Sequence, residues 1–343
     1  MFKKLSVSAA AAGALVAAVT AGLGPVAASA SPASVPSPSP ATASTAASTP
    51  LSNARIAAHF DLAQGQTPEN VALAPDGSAY VTFAKARQIA KVSPEGTVRI
   101  LATLPRPADG GVRTPALGFP LTTGIVRAGD GTLYFLYATG TSDLTGVWRL
   151  RPGGEPRRIA ELPADGLPNG LGLDARTGTL YVADSARGTL WSVPVRGGSP
   201  TAWCTAPELA PTGFLGANGL KVHEGAVWVT NFDQGTVLRV PVLRDGSAGH
   251  VRTRAVGMPG IDDIAFTGHG SRLFAALDGS NEVALVRPDG SHSTVLTSAD
   301  GLQNPTSLAV RGRTVYVLNA GWLTGEDPNL VLAHRNNQVD GQR

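Results

Sequence analysis

Cysteine is almost missing from this chain, with Cys204 the only one in 343 residues. A lone thiol excludes a disulfide framework, so burial alone must hold the core, which a chain of this length can supply. Cys204 lies beside Trp203 in TAWCTA with no histidine nearby in sequence, and reads as a small packed side chain rather than a nucleophile. Charge is scarce too: Asp, Glu, Lys and Arg make up 15% of the residues, against roughly 25% in ordinary soluble domains. The formal net charge is only +3 and no basic run or basic-aromatic patch occurs, so no nucleic-acid partner is expected. There is no G-x-S-x-G elbow, Walker A loop, H-E-x-x-H pair or C-x-x-C. Heptads and a glycine period of three are also missing, which excludes a coiled coil and a collagen. What the chain has in excess is turn formers, 41 Gly and 26 Pro.

The first residues read as a targeting segment. Lys3 and Lys4 precede an apolar stretch from Ser8 to Leu23, and Ala28, Ser29 and Ala30 form an A-x-A cleavage signal. Residues 1–30 are therefore expected to be a general secretory signal peptide cut after Ala30, giving a secreted protein of net charge +1. The apolar stretch is too short for a bilayer and no second one follows, so no membrane span is expected. Residues 31–53 are dominated by Ser, Pro, Ala and Thr, a composition that reads as a disordered tether. Residues 336–343, NNQVDGQR, read as a polar tail.

Between these ends the chain repeats itself. PNGLGLDARTGTLYVADSARGTLWSV from Pro168 and ANGLKVHEGAVWVTNFDQGTVLRV from Ala217 share one skeleton: a polar residue, an apolar strand, a Gly turn, then two more apolar strands. Weaker copies begin near Pro68, Thr122, Ile261 and Pro305. Aligning the polar residue that opens each unit gives Glu69, Thr123, Asn169, Asn218, Asp262 and Thr306, at spacings of 54, 46, 49, 44 and 44. That is the period of a four-stranded blade, so residues 54–335 are expected to form an all-β, six-bladed β-propeller. The strand-like ARIAAHFDL, residues 54–62, would close the ring as the outer strand of the sixth blade.

Residues that open the inner strands of a propeller converge on its axis. Glu69, Asn169, Asn218 and Asp262 all carry oxygen, and Asp263 adjoins the last. Carboxylates mixed with amide oxygens suit a hard cation such as Ca²⁺, and no paired His or Cys points to zinc. Asn-Gly is also an ordinary turn dipeptide, but Glu69 is a poor turn former, and both Asn-Gly pairs precede an inner strand instead of joining two hairpin strands.

Glu in blade one, Asn-Gly in blades three and four and Asp in blade five resemble the SMP-30/gluconolactonase/LRE-like superfamily, with an order also similar to that of the paraoxonases. The resemblance implies one Ca²⁺ or other divalent ion at the axis, held by Glu69, Asn169, Asn218 and Asp262, with Asp263 where paraoxonases have Asn. It also implies hydrolysis of lactones or related esters, with a small-molecule substrate; a monomer is expected. Thr123 stands where paraoxonases carry His, the blade-five pair is Asp262-Asp263 instead of Asp-Gly, and ENVAL replaces Gly-Pro-Val after the first Glu. Without that His, Asp262 or Asp263 is the expected general base, and Thr123 and Thr306 the expected substrate-facing rim. Two alternatives stay open: a non-catalytic propeller with a structural ion that binds a ligand or protein, and an enzyme like the streptogramin lyases, which use paired catalytic His on seven blades.

Overall fold

The strand Thr179–Asp184, TLYVAD, has hydrogen-bonded neighbours on both sides and buried side chains on both faces. A near-continuous run of apolar and β-branched residues suits that position and no exposed one. The same arrangement recurs six times. A computed structural model describes residues 50–336, and within it six antiparallel four-stranded sheets form a six-bladed β-propeller. The signal peptide expected at 1–30, the tether up to residue 49 and residues 337–343 of the tail lie outside the described residues. No helix among the described residues is long and apolar enough to cross a membrane.

The inner strands are Pro68–Leu73, Leu121–Arg127, Pro168–Asp174, Ala217–His223, Ile261–Phe266 and Pro305–Arg311. Each of the first five blades runs from inner to outer strand in chain order. The sixth takes its outer strand from the start of the domain, where Leu51–His59 pairs antiparallel with Asn329–Arg335. That strand begins three residues before the expected Ala54. Ser52 pairs with His334 and Leu51 is buried in the core, so residues 51–53 belong to the sheet and not to the tether.

Six apolar clusters hold the ring together. The one joining blades two and three, for example, contains Leu136 and Val147 from one sheet and Leu180 and Val182 from the next. Burying such side chains contributes about 1.5–3 kcal/mol each, and a closed ring leaves each sheet two neighbours to bury against. Hydroxyls of inner and second strands latch onto the next blade's inner strand across the same seams. Thr123 donates to the Pro168 carbonyl (2.8 Å), Thr306 to that of Pro68 (3.0 Å) and Thr230 to that of Asp262 (2.7 Å).

Because each inner strand starts at one face, the second turn of every blade and the link to the next blade return to that face. The first and third turns lie on the opposite one. A seventh apolar cluster, with Ala84, Leu121, Leu167 and Leu215, gathers residues from the strand entries and these returning loops.

Candidate metal centre at the propeller axis

The ladder between first and second strand is irregular at every entry. Register shifts fall between Pro68 and Asn70, Thr122 and Ile125, Pro168 and Leu171, Ala217 and Leu220, Ile261 and Ile264, and Pro305 and Ser307. Such bulges interrupt pairing and re-aim side chains, and the aligned polar residues sit in or beside them. Glycine explains the rest of the local sequence. A Cβ on Gly170 would overlap the Asn218 carbonyl oxygen, and one on Gly219 the Asp262 carbonyl oxygen. Neither glycine has positive φ. The Asn-Gly pairs therefore mark close approach of neighbouring inner strands, and turn geometry is not their cause.

A cavity of about 420 Å³ opens at the face where the inner strands begin. Glu69, Asn169, Asn218 and Asp262 all line it, so the structure brings these four expected residues together. Asp278 joins them from the turn just past the second strand of blade five, which ends at Leu277. Phe119, Phe214, Phe232, Trp322 and Leu117 supply much of the apolar wall. Lys85 stands at the same cavity with its ammonium 4.8 Å from the Trp322 ring centre and 5.5 Å from that of Phe119.

Three oxygens in this lining, Glu69 Oε2, Asn218 Oδ1 and Asp278 Oδ1, are buried and accept no hydrogen bond. Leaving such atoms unpaired costs about 1–3 kcal/mol each, more when charged. The electrostatics agree. Burial pushes Glu69 up to about 8, with Asp278 and Asp263 adding to the rise and the Trp322 indole N–H opposing it. Asp278 is pushed up to about 7 by burial. Asp262 lies well above the ordinary carboxylate range, through burial first and then the charges of Glu69, Asp278 and Asp263, with Lys221 pulling the other way. Carboxylates that resist ionisation in a shared pocket are groups short of a positive charge.

The donor set therefore fits a hard divalent cation: carboxylates plus amide oxygens, several without partners, around one space. Among the described residues no three His, Cys, Asp or Glu side chains form a metal-holding group by themselves; the amides of Asn169 and Asn218 line the same cavity as Glu69, Asp262 and Asp278.

Asp263 is not in the cavity lining. It is fully buried, and its oxygens receive Lys221 Nζ at 2.6 and 2.8 Å, the Ser307 hydroxyl at 2.6 Å and the Asn70 amide at 3.3 Å. Thr123 and Thr306 do not line it either; both are fully buried, with their hydroxyls engaged in the inter-blade latches described above. Sequence reasoning missed Asp278. By strand register the counterpart of Asp184, Asn231 and Asn319, which tie neighbouring loops through backbone N–H groups, is Leu277; Asp278 lies one residue further on, at the position of Ser185, Phe232 and Ala320, and turns an unpartnered oxygen to the cavity. Cys204 is half-buried in an outer strand, and burial, with Glu208 adding, raises its thiol pKa away from reactivity.

Fold and site together define a β-propeller with an acidic, amide-containing pocket on its axis. No protein-family model matches the sequence, and no curated protein matches it. Solved structures match the fold. A gluconolactonase from Xanthomonas campestris has a TM-score of 0.59 at 15% identity, covering 80% of this chain and 87% of that one. Regucalcin from Agrobacterium tumefaciens, a calcium-binding protein, has a TM-score of 0.59 at 15% identity, covering 81% and 93%. A catalytically inactive histidine-to-alanine variant of virginiamycin B lyase from Staphylococcus aureus, with quinupristin, has a TM-score of 0.57 at 16% identity, covering 79% and 82%. At such identities the likeness is one of fold.

Proposed function

We propose that this chain is an exported, divalent-cation-dependent hydrolase of lactones or related esters that carry an apolar group. The observation behind it is the convergence of Glu69 Oε2, Asn218 Oδ1 and Asp278 Oδ1, buried and unpartnered, on one cavity. Glu69, Asn169, Asn218 and Asp262 would hold the cation, which supplies Lewis-acid polarisation of a carbonyl. Phe119, Phe214, Phe232 and Trp322 would take the apolar part of the substrate and exclude water.

Asp278 is the general base in this scheme, because Asp263 is committed to Lys221 and Asp262 to the cation. Its carboxylate takes a proton from water as the water oxygen bonds to the acyl carbon. The acyl carbon–oxygen bond then breaks, and the proton passes from Asp278 to the departing alkoxide, giving acid and alcohol.

The lyase alternative has less support: the inactive lyase variant lacks a histidine, and none of this chain's six histidines lines the cavity. The test is a panel of alkyl and aryl lactones and esters, run with calcium and with chelator. Chelator-sensitive turnover lost in Glu69→Gln and Asp278→Asn is expected. Calcium binding by calorimetry without turnover of any panel member would favour the binding-protein alternative, and absence of calcium binding would overturn the site.

A further inference from the structure

We propose that the cleft between blades four and five, on the face opposite the axial cavity, is a binding site for a tetrahedral oxyanion, a sulfate or phosphate group held by Arg239, Arg252 and Arg254. The cleft has a volume of about 210 Å³. Blade four supplies its arginines, Trp228 and Glu224, and the first turn of blade five supplies Gly270 and Ser271.

Three features point to an anion. First, Arg239 and Arg252 are direct cross-strand partners, and Arg254 follows two residues later on the same side of the outer strand. Like charges placed opposite each other destabilise a sheet. Secondly, among the described residues none of the three has a carboxylate within ion-pair distance, and their guanidinium groups make one hydrogen bond, from Arg254 to the Pro288 carbonyl at 3.3 Å. Thirdly, Trp228 is 4% exposed and its indole N–H is buried with no acceptor.

The one acid in the lining is already engaged. Glu224 accepts from the Gly270 N–H at 2.9 Å and lies 3.7 Å from His223 and 3.6 Å from His269. His223 also contacts the Gly270 carbonyl at 2.7 Å and stacks on Phe266 with ring centres 3.8 Å apart. These contacts bind the turn of blade four to that of blade five and set the walls of the cleft. Arg239 sits 5.8 Å from the Trp228 ring centre, which orients its guanidinium. Guanidinium forks match the paired oxygens of a tetrahedral oxyanion, and an acceptor at the indole would satisfy its N–H.

The test is calorimetric titration of the mature protein with sulfate, a dianion that leaves calcium in solution, against chloride at matched ionic strength. Saturable one-site binding is expected, weakened at least tenfold in R252Q/R254Q and several-fold in Trp228→Phe, and unchanged in Glu69→Gln on the other face. Absence of saturable binding, or binding that R252Q/R254Q retains, would overturn the proposal. A parallel arm compares glycerol phosphate with vesicles containing phosphatidic acid. Binding to the soluble ester alone assigns the site to a free phosphomonoester, binding to both assigns it to an accessible headgroup, and binding to neither while sulfate binds restricts it to small inorganic oxyanions.

Discussion

Lys221 reaches across the seam between blades four and five to place its ammonium 2.6 Å from Asp263 Oδ2 and 2.8 Å from Oδ1. Ser307 of blade six and Asn70 of blade one complete the carboxylate's shell, so one buried acid joins four blades. Of the adjacent pair Asp262-Asp263, one acid already has its cation and the other faces the open cavity.

Removing one member of such a pair strands the other. Lys221→Met should destabilise the domain by on the order of 3 kcal/mol, and by more than Asp263→Asn does, because Asp263 is the deeper partner. Calcium affinity should change less than tenfold in both. Urea unfolding and calorimetry on the same samples check this, and a calcium affinity that collapses in Asp263→Asn while the fold holds would assign that residue to the metal centre after all.

The axial carboxyls set the pH dependence of the calcium-free domain. Glu69, near 8, and Asp278, near 7, titrate higher in the folded chain than their ordinary values of about 4. The folded state therefore binds more protons between these limits. The stability contributed by the protonated groups is fully present below pH about 4 and is lost as pH rises through 7 and 8. Melting temperature without calcium should fall from pH 5 to pH 8, and added calcium should oppose the fall. Glu69→Gln should reduce the slope of the calcium-free profile, leaving the part carried by Asp278 and Asp262, and abolish the calcium response.

Close approach of the inner strands makes two glycines irreplaceable. Gly219→Ala sets a Cβ against the Asp262 carbonyl and 2.6 Å from Asp263 Oδ1, and Gly170→Ala sets one 2.6 Å from the Leu220 nitrogen. Backbone on the far side of the seam cannot retreat without opening the ring. Each change should cost about 3 kcal/mol or more and weaken calcium binding with it. Gly213→Ala, which meets nothing within 4 Å, should do neither. Thermal unfolding of the three variants decides the matter.

Asp233 clasps the loop that carries Phe214. Its Oδ2 receives the N–H groups of Thr212, Gly213 and Phe214 at 2.8–2.9 Å, and Oδ1 that of Leu215 at 3.0 Å. Burial opposes ionisation, but the four donors prevail and hold the carboxyl below its ordinary value. The clasp is therefore present above pH about 4 and lost as pH falls through the lowered folded value. Asp233→Ala should raise amide exchange at residues 212–215 at least tenfold and raise KM for apolar substrates more than it lowers kcat. Unchanged exchange in that loop would show that the clasp does not hold it.

Much of this molecule was legible in one dimension because repetition is a sequence property. The recurrence of polar entry, apolar strand and glycine turn determined the blade number, the inner strands and the face on which Glu69, Asn169, Asn218 and Asp262 meet. The N-terminal closing strand was legible in kind, but its start at Leu51 was hidden, since pairing with His334 and Arg335 and not composition extends it.

Partner choice among equivalent residues was not legible. Asp262 and Asp263 are neighbours of one type, and a bulge together with Lys221 from another blade separates their roles. Asp278 occupies the blade position held elsewhere by Ser185, Phe232 and Ala320, and it alone of these brings an unpartnered carboxylate oxygen to the cavity. Thr123 and Thr306 share the ring position but turn to carbonyls of the next blade. Sequence by itself determined the repeat and the chemical types that ring the axis, because strand period and residue identity are local. Only the tertiary structure decided which oxygens remain unpartnered, because that depends on donors brought in from residues far away along the chain.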